Sequence, residues 1–190
     1  PHQLVRSALA VAGGGGTLTA YLSQLQLGYN AGHAYAVHAV FDASAMDSCL
    51  FDVTSLRLGT DRPVPLPTDI VNATLRLPVG AALVGEALIG GSGAGQALLG
   101  LSNTVTTISG SLTLNPTALV EIKTGADSKG LDVTGTFVDA GGSVAVTFLE
   151  TPAAAATNWA LRVAGNAVTT LGAMYGSGRL TVSGLAPGKK

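Results

Sequence analysis

Residues 18–27 read LTAYLSQLQL and residues 33–41 read HAYAVHAVF, with GYNAG between them. Leu18, Ala20 and Leu22 fall on one face of an extended chain, and Leu25 and Leu27 resume the apolar row after a one-residue slip. Tyr35, Val37, Ala39 and Phe41 line one face of the second run. Side chains alternate across a strand with period two, so both runs predict strands with one buried face. The linking residues 28–32 tolerate positive φ, and two alternating runs around such a loop predict a β-hairpin.

The same signals recur along the chain. Residues 49–58 (CLFDVTSLRL) predict a strand with Leu50, Asp52, Thr54, Leu56 and Leu58 on one side. Residues 61–69 (DRPVPLPTD) hold three prolines at alternate positions, which predicts a stiff extended connector. Residues 72–77, 104–114, 118–123, 159–163, 167–170 and 178–182 predict further strands. Residues 131–138 and 143–149 flank Asp139-Ala140-Gly141-Gly142 and predict a second hairpin. A short helix is expected over residues 81–89, and no lengthwise repeat is evident. Short strands punctuated by Gly, Pro and Asn predict a mainly β fold with little helix, an antiparallel β-sandwich or barrel with an extended N-terminal arm. The expected division is an arm at 1–16, a hairpin region at 17–60, the connector at 61–69 and a main β domain at 70–190.

Charge sets the function class. The 190 residues are 47% hydrophobic but only 11% charged, with a formal net charge of -1; soluble domains average roughly 25% charged residues. Such a surface is expected to be Thr, Ser, Asn, Gly and Ala, covered in part by neighbouring subunits. Without a basic stripe, no nucleic-acid partner is expected. Residues 81–101 are the most membrane-like stretch, but Glu86, Ser92, Gln96 and the interspersed glycines argue against a span. Residues 4–12 lack the basic start and unbroken apolar run of a secretion signal, and the Pro1-His2 start suits an N-terminus trimmed of Met. Cys49 is the only cysteine, which excludes an intrachain disulfide and suits a buried thiol.

No motif supplies chemistry. His33 and His38 stand an odd spacing apart on one predicted strand and so face opposite sides, and His2 lies far from both in sequence. Asp42, Asp47 and Asp52 lack the alternating oxygen ligands of a calcium loop, and Asp42-Ala43-Ser44 suits an Asx-type turn. Gly176-Ser177-Gly178 is not a nucleophile elbow, and residues 90–100 lack phosphate-loop spacing. Asn72-Ala73-Thr74 is a chance-level glycosylation match. The expectation is therefore a non-enzymatic protein with no catalytic residues, cofactor or metal.

The Pro-initiated arm with its glycines at 13–16, the segments TVTTISGSLTL (104–114) and VTGTFVDAGGSVAVTFLE (133–150), and the low charge give the whole chain a general style. In that style it resembles the structural proteins of tailed bacteriophages. The resemblance implies a repeated virion component assembled in a bacterial cytoplasm: a capsid decoration (cement) protein, a fibre-like part, or a tail-tube or baseplate subunit. Such proteins form trimers or rings with themselves, contact other virion proteins and lace onto neighbours by arms. Leu4, Val5, Leu9 and Val11 are the expected arm anchors. The competing class is a carbohydrate-binding or adhesive module, with Tyr29 and Trp159 as candidate ligand contacts.

Overall fold

The computed structural model describes residues 5–11, 13–30, 36–61, 69–124, 129–148, 159–163 and 179–183. The chain winds as a β-solenoid in which successive strands alternate between two sheets. The first coil holds β1 (Val5–Val11) and β2 (Thr17–Leu27), the second β3 (Ala36–Asp42) and β4 (Ser48–Leu58), and the third β5 (Ile70–Leu77) and β6 (Gly80–Ile89). Next come β7 (Ala94–Ser102), β8 (Thr104–Ile108) and β9 (Ser111–Leu114), then β10 (Ala118–Thr124), β11 (Lys129–Val133) and β12 (Thr136–Asp139). Two strands, β13 (Ser143–Phe148) and β14 (Trp159–Val163), make the following coil, and β15 (Arg179–Ser183) opens another. The first sheet runs β1-β3-β5-β7-β10-β13-β15; the second gathers β2, β4, β6, β8, β9, β11, β12 and β14. Every pairing among these strands is parallel.

This corrects the expected antiparallel sandwich or barrel. Parallel sheets in most proteins are covered on both faces and read as unbroken apolar runs, whereas alternation usually marks an antiparallel sheet with one wet face. A solenoid breaks that association, because each parallel strand turns one face to the interior and the other to solvent. The expected hairpins fall for the same reason. Residues 18–27 and 36–41 lie in different sheets, with β2 paired to β4 and β3 to β1 and β5. Likewise β12 pairs with β9, and β13 with β10 and β15. The expected extended arm contains β1, paired residue for residue with β3 from Val5–Ala36 to Val11–Asp42. The expected helix at 81–89 is strand β6, paired with β4, and the described residues contain no helix.

A repeat does exist, at unequal length. Facing residues are 31 apart from Thr17 to Ser48 and from Cys49 to Gly80, 24 from Gly80 to Thr104 and 25 from Thr106 to Leu131. Turn insertions absorb the difference while the inward rows stay in register. Phe41, Leu75, Leu99, Val120 and Val144 form one inward column; Leu77, Leu101, Ile122 and Val146 form another; Ala39, Ala73, Ala97 and Ala118 form a column of small residues. The strands on both sides of residues 61–69 belong to the same two sheets.

The long second-sheet strands β2, β4 and β6 each shift phase once along their length. Cys49, Phe51 and Val53 point inward, then Leu56 and Leu58; the outward set is not the one expected, because inward positions slip by one residue at Thr54-Ser55. Val84 and Ala87 show the same step in β6, while Ile108 and Leu112 leave one more residue at the bend, which divides β8 from β9. Gly85, Gly110 and Gly135 stack at this corner, where a Cβ on Gly110 would lie 2.6 Å from the Gly85 carbonyl oxygen. The Gly110 N–H donates to that oxygen at 2.6 Å, so close passage of coils keeps the ladder unbroken around the bend.

The turn leaving this sheet uses Gly28, Gly59 and Gly90 at φ 64°, 63° and 80°. A Cβ on Gly59 would stand 2.5 Å from the Cβ of Ala97, so the small-residue column and these glycines require one another. Gly110→Ala is expected to destabilise the fold by about 1–3 kcal/mol through overpacking. Gly13→Ala, which meets nothing within 4 Å, is expected to stay within about 0.5 kcal/mol of the parent, both measured by urea unfolding.

Candidate functional site

Chemistry-bearing side chains gather mainly on the outer face of the first sheet. Strand alternation places His38, Asn72 and Gln96 outward in one row, because their neighbours Val37, Ala39, Val71, Ala73 and Ala97 fill the interior. The Asn72 Nδ2 atom stands 3.2 Å from the His38 Nδ1 atom, and the Asn72 Oδ1 atom accepts from the Gln96 backbone N–H at 3.0 Å. This row clamps three adjacent coils together.

Four residues along, Asp42, Arg76, Gly100 and Glu121 form a second outward row. The Arg76 guanidinium bridges the coils, 3.9 Å from both Asp42 and Glu121, and Gly100 leaves room for its stem. Arg76, Gly100, Glu121, Lys123, Ser44 and Ser102 border a depression of about 120 Å³. Ligand pockets generally reach about 300–1,000 Å³; this one is a small notch bordered by two cations, Arg76 and Lys123, of which Arg76 is already flanked by two carboxylates. At the far end, the buried Asp132 carboxylate pairs with Arg162 of the next coil, accepting from Nε at 3.0 Å and also from Nη2.

The residues singled out in the sequence do not converge. Leu4 lies outside the described residues. Val5 and Val11 belong to β1, and Leu9, in the same strand, is 74% exposed on the outer face. Tyr29 is 42% exposed in the turn after β2, while Trp159 begins β14, five strands further along the second sheet. At about 4.8 Å per strand, that is roughly 24 Å along the axis, so they cannot form one small-sugar site. His2 and His33 lie outside the described residues. Asp42 closes the expected Asx turn, accepting from the Ser44 N–H at 2.9 Å and hydroxyl at 2.6 Å. Asp47 accepts from the Gly16 N–H at 2.9 Å, and Asp52 lies on the outer face of β4. Among the described residues no three His, Cys, Asp or Glu side chains gather as a metal would need. Cys49 is buried, as its sequence context suggested.

Sequence reasoning missed a different surface. Tyr21, Leu50, Leu83 and Val105 project outward from the first arms of β2, β4, β6 and β8 and are all substantially exposed, Tyr21 at 66%. Leu50 lies one coil from Ala81 and two from Val105, and Tyr21, Asp52 and Leu83 form the adjoining row. The available signal was an apolar residue at an outward position, legible only once the phase of each strand is fixed.

The notch has a testable pH dependence. Burial pushes the Asp42 carboxyl up, but the Ser44 hydroxyl and N–H and the Arg76 guanidinium outweigh it and hold the pKa below the usual value. A depressed native pKa gives stability that is full above the unfolded value, about 3.9, and disappears as pH falls through the native one. Asp42→Asn is therefore expected to cost less than about 1 kcal/mol at pH 7, with the two unfolding curves converging as pH falls through the lowered native pKa. Compared with protein-family profiles, curated proteins and solved structures, the chain matches none.

Proposed function

We propose that the chain is a non-enzymatic structural subunit, a rod-like solenoid that serves a virion as a fibre-like or decoration component and associates side by side with copies of itself. The observation that carries this reading is the set of exposed apolar side chains Tyr21, Leu50, Leu83 and Val105, which alternate between two adjoining rows of one sheet face around Asp52. Exposed apolar side chains gathered on a regular face mark an association surface. Parallel strands hold these side chains at fixed spacing, so copies laid side by side would meet the same contact on several coils. This geometry suits a trimer or a ring. Contacts with other virion proteins and assembly in a bacterial host belong to the same proposal and rest on the resemblance in sequence style.

The competing glycan-binding reading is favoured by one observation, the exposed rings of Tyr21 and Tyr29 in the first coil. On that reading Tyr29→Ala abolishes binding on a glycan array while the circular dichroism spectrum is unchanged. An array without any bound glycan removes it.

For the structural reading, light scattering after size exclusion at low micromolar concentration is expected to show a discrete oligomer. The pair Leu50→Glu and Leu83→Glu is expected to abolish the side-by-side contact without altering the β spectrum. A monomeric parent chain, or an oligomer that the pair leaves intact, refutes the lateral contact.

A further inference from the structure

The notch on the outer face of the first sheet holds more donors than it uses. Arg76 stands 3.9 Å from each of the Asp42 and Glu121 carboxylates, close enough for charge attraction but beyond the roughly 2.7–3.2 Å of a hydrogen bond. Among the described residues its guanidinium makes no hydrogen bond, although the side chain is only 35% exposed. The Lys123 ammonium and the Ser102 hydroxyl, both on the border of the notch, are likewise without a partner among the described residues. Of the two carboxylates beside Arg76, only Glu121 borders the notch; Asp42 accepts from the Ser44 N–H and hydroxyl.

The ladder register brings these donors to one place. Gly100 faces Arg76 on one side and Glu121 on the other, and two residues along the same outward row Ser102 faces Lys123. The two cations therefore come from strands two apart, roughly 10 Å, with Ser102 on the strand between them. Buried Leu77 and Leu101 lie beneath. A guanidinium presents a planar fork that matches a carboxylate or a phosphate, and an ammonium adds a point charge from the other side. The space between them, about 120 Å³, suits one such group and not a larger ligand.

We infer that this notch is an oxyanion site, taking a single carboxylate or phosphate-type group between the Arg76 guanidinium on one side and Lys123 with the Ser102 hydroxyl on the other. Glu121 weakens the site by competing for Arg76. The site lies on the opposite sheet from Leu50 and Leu83 and does not depend on the lateral contact.

The test follows the Arg76 side-chain N–H and the Gly100 and Ser102 amides in proton–nitrogen spectra of the full chain. Sodium acetate and inorganic phosphate are added separately against sodium chloride of equal ionic strength. Saturable shifts at these groups are expected, with a Kd on the order of 1 mM; the tighter of the two probes tells whether the group is a carboxylate or a phosphate. Lys123→Met is expected to weaken binding roughly threefold, and Arg76→Met by more than about tenfold. Glu121→Gln is expected to strengthen it roughly threefold, a gain that a merely structural role for these residues would not produce. The Leu50→Glu and Leu83→Glu pair is expected to bind as the parent does. Shifts that do not saturate, an equal response to chloride, or binding unchanged in Lys123→Met overturns the inference, even if Arg76→Met fails to fold.

Discussion

The structure depends on one constraint: every inward side chain must stack on the residue one coil away, because the parallel backbone ladder leaves adjacent strands only about 4.8 Å apart. The first-sheet columns are accordingly close to uniform in size, whereas the second sheet complements large with small, as in Ala20, Phe51 and Ala82. Leu, Val and Ile repeat where the two sheets are well separated, and alanine repeats where the second sheet's turn crosses close to the first. Glycine occupies the corner where coil passes over coil. Any bulky residue in the alanine or glycine columns would push against its neighbour's backbone, so the thin core is a requirement of the winding and not a deficiency in it.

The same constraint reaches the surface. Outward residues are stacked too, and like charges facing one another across adjacent strands repel. Charges on adjacent coils accordingly occur as opposites, with Asp42 beside Arg76 and Asp132 beside Arg162. The low charge content thus has a cause inside the molecule, and composition alone does not imply that neighbours cover the surface. The exposed set Tyr21, Leu50, Leu83 and Val105 is the more specific signal, because apolar residues there break the outward polar pattern.

Much of the local structure was legible in the sequence. Strands expected at 18–27, 33–41, 49–58, 72–77 and 118–123 overlap observed ones, residues 33–35 lying outside the described residues, the one expected at 104–114 is divided into β8 and β9, and the turn role of Asp42 and the burial of Cys49 followed from local chemistry. What was not legible was which strand lies beside which. Period-two alternation is identical for a sandwich strand and a solenoid strand, and the loop Gly28-Tyr29-Asn30 reads as a hairpin although it leads onto a different sheet. The decisive clue was the slip between Leu22 and Leu25, which recurs between Val53 and Leu56 and between Val84 and Ala87. Taken singly it looks like imperfect alternation; taken together it is a corner repeated at coil spacing. These three corners recur at a constant 31 residues, but the coils shorten to 24 and 25 residues beyond β6, so the repeat at fixed period covers only the first coils. The candidate surfaces were illegible for the same reason, since outward residues can be named only once the corner is placed.

The ladder's direction also determines how the rod responds to load. Its backbone hydrogen bonds point along the axis, from coil to coil, while the strands run across it. Compression and bending press the columns together, but an axial pull acts on the bonds of one end coil before those of the next. Under tension the molecule would peel coil by coil instead of shearing as a whole, and each 24-residue coil would release on the order of 80 Å of chain. The winding favours a part that holds a distance over one that bears a pull.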